Sequence, residues 1–301
     1  MNKEVIVIGS GFAGLSAAAY LAKGGCRVTI LEKNEGPGGR ASMFKSDGFT
    51  FDMGPSWYWM PDVFQKWFGD FGKKVSDYYD LRRVDPSYRV WFGPEDHLDI
   101  PAKLSDLYEL FEDLEPGSSP NLKKFLDEAA HKYEMGINDL VHKPGRSLLE
   151  FADPRILTGL FKLDLFKSYS KHVDSLFTND RIKRILEFPV YFLGATPQDT
   201  PALYTLMSYA DLALGTWYPM GGMHEIVKGM VQVCVDLGVR FEYHSEVKAV
   251  EADGKKAKFV VTDKARYEAD VIVAGADYHH IEQKVLEPEH RQYSEKYWQS
   301  R

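Results

Sequence analysis

Three glycines, one glutamate and one arginine near the N-terminus have the types and spacing to hold a nucleotide. Gly9, Gly11 and Gly14 form a GxGxxG pattern. The first glycine permits a tight turn, the second lets a pyrophosphate approach the backbone, and the third lets a helix pack closely on a strand. Glu32 follows 18 positions after Gly14, where a carboxylate can accept hydrogen bonds from ribose hydroxyls. Beyond it lie Gly38, Gly39 and Arg40. A second glycine pair followed by a fixed cation can wrap the far side of a pyrophosphate, because a guanidinium pairs well with phosphate oxygens.

The elements that must position these residues are legible around them. Residues 4–8, EVIVI, are a short β-branched run of the kind found in a buried parallel strand. Residues 12–22 carry Ala13, Ala17, Ala18 and Ala19, small enough for a close-packed helix whose first N–H groups point at phosphates. Gly24 and Gly25 end that helix, and a second buried strand over 27–31 delivers Glu32. A lone GxGxxG also marks ordinary loops; strand, turn, helix, strand and acid together specify a dinucleotide site.

Glu32 followed by Gly38, Gly39 and Arg40 resembles the extended FAD fingerprint of flavoproteins that include amine oxidases, protoporphyrinogen oxidases and carotenoid desaturases. Three further blocks resemble the bacterial-type phytoene desaturases: GFTFDMGPSWYWMPDVF at 48–64, YFLGATPQDTPALYTLMSYADLALGTWYPMGGM at 191–223, and ADVIVAGADYHH at 269–280. The resemblance covers nearly the whole chain. It implies an α/β fold, with a Rossmann-like FAD-binding domain of the GR2 type assembled from both ends of the chain. Residues 1–80 and 222–301 would form that domain, and 81–221 a mixed, mainly helical insertion for substrate and membrane contact.

The same resemblance implies FAD as cofactor. The residues to contact it are Gly9, Gly11, Phe12, Ala13 and Gly14, then Glu32 and Lys33, then Gly38, Gly39 and Arg40. Met53, Gly54 and Pro55 belong to a segment that runs beside the flavin in the family, and Val247 would meet adenine through its backbone. The implied reaction is desaturation of a long acyclic carotenoid precursor such as phytoene, at a membrane surface, with a quinone or oxygen as electron acceptor. Such chemistry is flavin-centred and asks for little beyond orientation and a dry cavity, so no catalytic base is named. A carotenoid isomerase, a saturase, an amine oxidase or a non-catalytic prenyl-lipid carrier shares the fold; Arg40 disfavours the carrier. The family continues into a C-terminal region that nothing after His280 matches, so a chain lacking that region is expected.

Bulk properties agree with a globular protein. The chain has 301 residues, 44% of them hydrophobic, and a formal charge of -7. With pI near 5.8, nucleic acid is not expected as a partner. Cys26 and Cys234 are far apart and read as reduced core residues. The first strand begins almost at once, leaving no room for a signal peptide, and no apolar run is long enough to span a membrane. A cytoplasmic protein peripherally associated with the membrane is the expectation. No HExxH, CxxC or serine elbow is present, and the histidines show no metal spacing, so no metal is expected. No second GxGxxG points to a bound nicotinamide.

Further along, 41–52 read as a short hairpin turning at Ser46, Asp47 and Gly48, and 88–92 with 97–100 as another. The aromatics from Trp57 to Phe71 read as core on density alone. Helices are expected over 103–114, 121–140 and 224–237; the stretch at 156–171 reads either as an amphipathic segment whose lysines suit lipid headgroups or equally as a core helix with a solvated lysine edge. One extended strand is expected over 239–251, a second over 257–262, and a buried returning strand over 267–274. Glu187 and Asp211 read as half-exposed helix residues, and the pair His279 and His280 as capping or surface groups.

Overall fold

The computed structural model describes residues 3–141, 143, 147, 167–254 and 256–300. They fall into two compact units, one comprising the described residues of 1–56, 65–81 and 219–301, the other those of 57–64 and 82–218.

The first unit is built on strand β1 (Glu4–Ile8), helix α1 (Phe12–Lys23) and strand β2 (Arg27–Leu31). β1 pairs in parallel with β2 on one side and with Val271–Ala274 on the other. β2 pairs in parallel with Arg240–Glu242, giving a four-stranded sheet to which both ends of the chain contribute. β1 is buried along nearly its whole length, as a strand covered on both faces must be, hence its unbroken apolar run. α1 buries Gly14, Leu15, Ala18 and Ala19, and the Cys234 thiol of the helix His224–Asp236 reaches the Leu15 carbonyl at 3.4 Å.

A separate antiparallel sheet holds Val247–Asp253, Lys256–Thr262 and Arg266–Glu268. The single strand expected over 239–251 is therefore two strands in two sheets. His244 sits between them at φ 52, a left-handed conformation that breaks extended pairing. The strand expected over 267–274 is likewise divided, Arg266–Glu268 lying in the antiparallel sheet and Val271–Ala274 beside β1; between them the Asp270 amide donates to the Glu4 carbonyl and its carboxylate accepts the Glu4 amide, both at 2.9 Å. The hairpin Met43–Ser46 and Phe49–Asp52 turns through Asp47 and Gly48, both at positive φ, as a two-residue loop of that composition requires.

The second unit packs the hairpin Tyr88–Trp91 and His97–Ile100 with the helices Leu104–Leu114, Ser118–Met135, Tyr169–Asp174 and Asp180–Glu187. Its core includes Leu107, Phe111, Leu122, Phe125, Phe177 and Ile185. The helix expected over 121–140 begins earlier, at Ser118, and passes at Gly136 into a wider π-type turn. Residues 57–64, expected with the nucleotide segment, belong to this unit. Tyr58 and Trp217 exchange backbone hydrogen bonds, and Trp57 stacks on Tyr88 at 4.8 Å and packs on Phe188 at 5.4 Å. The greater part of the amphipathic stretch at 156–171 lies outside the described residues. Among the described residues no helix is long and apolar enough to cross a membrane.

Candidate cofactor site

A cavity of about 1020 Å³ opens in the first unit where β1 and β2 end. This is where ligands bind in open parallel sheets. α1 begins at its edge, capped by Gly11 with no side-chain hydrogen bond, so first-turn N–H groups lack the side-chain acceptor that ordinarily serves them. Arg40 also lines the cavity, and among the described residues no carboxylate pairs with it. An uncapped helix end and an unpaired guanidinium on one cavity make a receptor for anionic oxygens, as pyrophosphate binding requires.

The acid end is more tightly built. Glu32 is 4% exposed. Its Oε2 accepts the Ser10 amide at 2.9 Å and the Ser10 hydroxyl at 2.6 Å. Its Oε1 accepts the Asn34 amide at 3.0 Å and the Asn34 side-chain Nδ2 at 2.9 Å. Opposite, the loop bearing Gly38, Gly39 and Arg40 is pinned by the helix that starts at His224. His224 Nδ1 lies 3.0 Å from the Ala41 carbonyl, which it can serve only as a donor, and Asp52 accepts the Met223 amide at 2.9 Å.

Of the residues expected from sequence, Gly9, Gly11, Phe12, Ala13, Glu32, Lys33, Gly38, Gly39, Arg40, Pro55 and Val247 all line this cavity. Gly14, Met53 and Gly54 are not among its lining residues. Two of these three act on the backbone instead. A Cβ on Gly14 would lie 2.0 Å from the Gly9 carbonyl oxygen, and one on Gly54 would lie 2.0 Å from that of Arg40, so both turns close only with hydrogen in that place. Met53 is 57% exposed.

Sequence reasoning missed Ser10, Asn34, Ser245, Glu246, Ala276 and Asp277 as lining residues. The strand end at Gly275, Ala276 and Asp277 was a readable signal, since ligands collect at carboxyl ends of parallel strands. His280 lines the cavity as well, while its amide is capped by the Asp277 carboxylate at 3.0 Å.

The second unit contains a different acid. Asp211, read from sequence as half-exposed, is 1% exposed. The Tyr88 hydroxyl donates to it at 2.6 Å and the Thr216 hydroxyl at 3.2 Å; Trp59 Nε1 in turn donates to Thr216 at 3.0 Å. Burial pushes its carboxyl up to about 7 against the pull of those donors, and burial also raises the Tyr88 phenol. Its burial follows from tertiary partners, Tyr88 among them, rather than from its own type, which predicts exposure. Glu187 is half-buried, as expected. Among the described residues no group of three or more histidines, cysteines or carboxylates could hold a metal.

A parallel sheet with a glycine turn, an uncapped helix, an acid at the end of the second strand and a cation around one cavity defines a dinucleotide-binding flavoprotein domain. The chain belongs to the family described as flavin containing amine oxidoreductase, which matches residues 12–300, and its cofactor is FAD. It is 40% identical over 300 residues to a carotenoid 3,4-desaturase of Haloarcula japonica, spanning 99% of this chain and 60% of that protein. It is 32% identical over 288 residues to a zeta-carotene-forming phytoene desaturase of Myxococcus xanthus, spanning 95% of this chain and 56% of that one. The chain thus spans under two thirds of the length of either relative. A putrescine oxidase structure has the same fold, with TM-score 0.62 and 16% identity over 96% of this chain and 61% of that one.

Proposed function

We propose that the chain is the FAD- and substrate-binding part of a desaturase acting on a long acyclic polyene of the carotenoid class. The observation that carries this reading is the pairing of Glu32 and the unpaired Arg40 on one large cavity, in a sequence whose matched relatives are named carotenoid and phytoene desaturases. In it, Gly9, Gly11, Phe12, Ala13 and Gly39 offer backbone to the pyrophosphate, Arg40 neutralises its charge, Glu32 accepts from the ribose, and Val247 borders the adenine. Gly14, Gly38 and Gly54 keep the turns closed, and Lys33, Met53 and Pro55 flank the cofactor.

When bound, FAD supplies the acceptor for a hydride from a carbon chain. The protein's share is to bind, orient and exclude water. The second unit, with its aromatic segments, is the substrate side of this proposal. Because such a substrate dissolves in lipid, the protein works at a membrane surface, and a quinone or oxygen takes the electrons onward.

The test begins with titration of FAD into the 301-residue chain, followed by flavin fluorescence quenching. Saturable binding is expected. Phytoene in liposomes is then expected to shift the absorption of the bound flavin; bound FAD that responds to no acyclic polyene overturns the substrate assignment.

A further inference from the structure

A carboxylate has about four lone-pair positions, two on each oxygen. On Glu32 protein donors occupy all four: the Ser10 amide and hydroxyl on Oε2, and the Asn34 amide and side-chain Nδ2 on Oε1. A ribose hydroxyl can donate to this acid only by replacing one of them.

Three of the four are fixed. Both amides belong to backbone held in place: Gly9 donates to the Leu31 carbonyl at 2.8 Å, the Asn34 carbonyl accepts from His244 at 3.0 Å, and the Glu32 carbonyl accepts from Ser245 at 2.8 Å. The Ser10 residue is 0% exposed, so its hydroxyl has nowhere to find a substitute acceptor in water. Asn34 differs. It is exposed and lines the cavity, so its carboxamide can turn to solvent at little cost while its backbone stays pinned.

We propose that the Asn34 carboxamide is a placeholder on Glu32, yielding its position to a ribose hydroxyl of the dinucleotide, while Ser10 remains as the permanent holder. The proposal rests on the FAD reading of the cavity. It makes Asn34 a positioning residue that keeps a buried charge satisfied and the carboxylate aimed, and that leaves when the ligand arrives. One donor replaces another, so the acid is never left short of partners.

The test compares wild type, Asn34→Ala and Ser10→Ala by titration with FAD, ADP and 2′,3′-dideoxy-ADP, with melting temperatures as a folding control. Asn34→Ala is expected to bind FAD about two- to fivefold more tightly than wild type, the value of one exchanged hydrogen bond. Its preference for ADP over the dideoxy analogue rises by a similar factor, a change that a purely structural role would not produce. Ser10→Ala weakens FAD and ADP. If Asn34→Ala binds FAD no more tightly than wild type, or leaves the diol preference unchanged, the placeholder role is overturned. Wild type that binds neither FAD nor ADP removes the cofactor reading and the placeholder with it.

Discussion

The two units each bury a carboxylate, and the two are held in opposite ways. Glu32 stands at the mouth of a cavity with two backbone amides among its four donors, so its charge is met by groups that the sheet and loop fix in place. Asp211 lies among aromatic rings and is met by side-chain hydroxyls, and burial lifts its carboxyl to about 7. Backbone donors beside open space mark an acid held in place for a ligand. Hydroxyl donors inside a packed core mark an acid that can carry a proton, with a cost that depends on pH.

That contrast can be broken in four ways, the severest first. Gly14→Val places carbon where the Gly9 carbonyl oxygen would be 2.0 Å away; the first unit is expected to lose its cooperative unfolding transition and all FAD binding, as seen by urea denaturation and titration. The second concerns Asp211. Its carboxyl titrates at about 7 in the folded chain against the ordinary unfolded carboxylate range near 4. The folded state therefore binds more protons between those values. Stability is highest below pH 4 and falls as pH rises to 8, by roughly 4 kcal/mol for this group. Asp211→Asn abolishes that slope in urea unfolding followed at several pH values; a slope unchanged in the variant refutes the assignment to Asp211.

Glu32→Ala removes one charged acceptor and is expected to weaken FAD by about 2 kcal/mol, roughly thirtyfold, in fluorescence titration. Asp211→Asn should leave that affinity untouched, since its partners all belong to the second unit. The mildest change is Tyr169→Phe. The Tyr169 hydroxyl donates to the Leu186 carbonyl at 2.6 Å in the core of the second unit, and its loss costs about 1 kcal/mol of stability in chemical denaturation with no effect on FAD.

How much of this was legible in the sequence follows from how local each feature is. The run from β1 to Glu32 declares itself within about 30 residues, because glycine turn, helix and strand are each forced by their neighbours. Arg40 follows from the chemistry of a cation behind a second glycine pair and Val247 from resemblance to flavoproteins, and both residues line the cavity. What the sequence hid depends on tertiary packing. Asp211 has the composition of a surface residue, and its buried place depends on partners such as Tyr88, 123 positions away along the chain. The break at His244 hinges on one left-handed residue that is not a glycine. The grip of Ser10 and Asn34 on Glu32 is a matter of side-chain reach, which no periodicity reports. The placing of 57–64 was missed because its neighbours in sequence are nucleotide-site residues, whereas its bridge to Trp217 is far away along the chain.

The sheet carries one further consequence, for the order in which the protein is made. β1 is made well before one of its two neighbours, Val271–Ala274, which lies far along the chain. At ordinary elongation rates of ~5–20 residues per second, β1 waits for roughly a quarter of a minute to a minute with one edge unpaired. For that interval the nascent chain presents an apolar strand edge of the kind chaperones cover and neighbouring chains can capture.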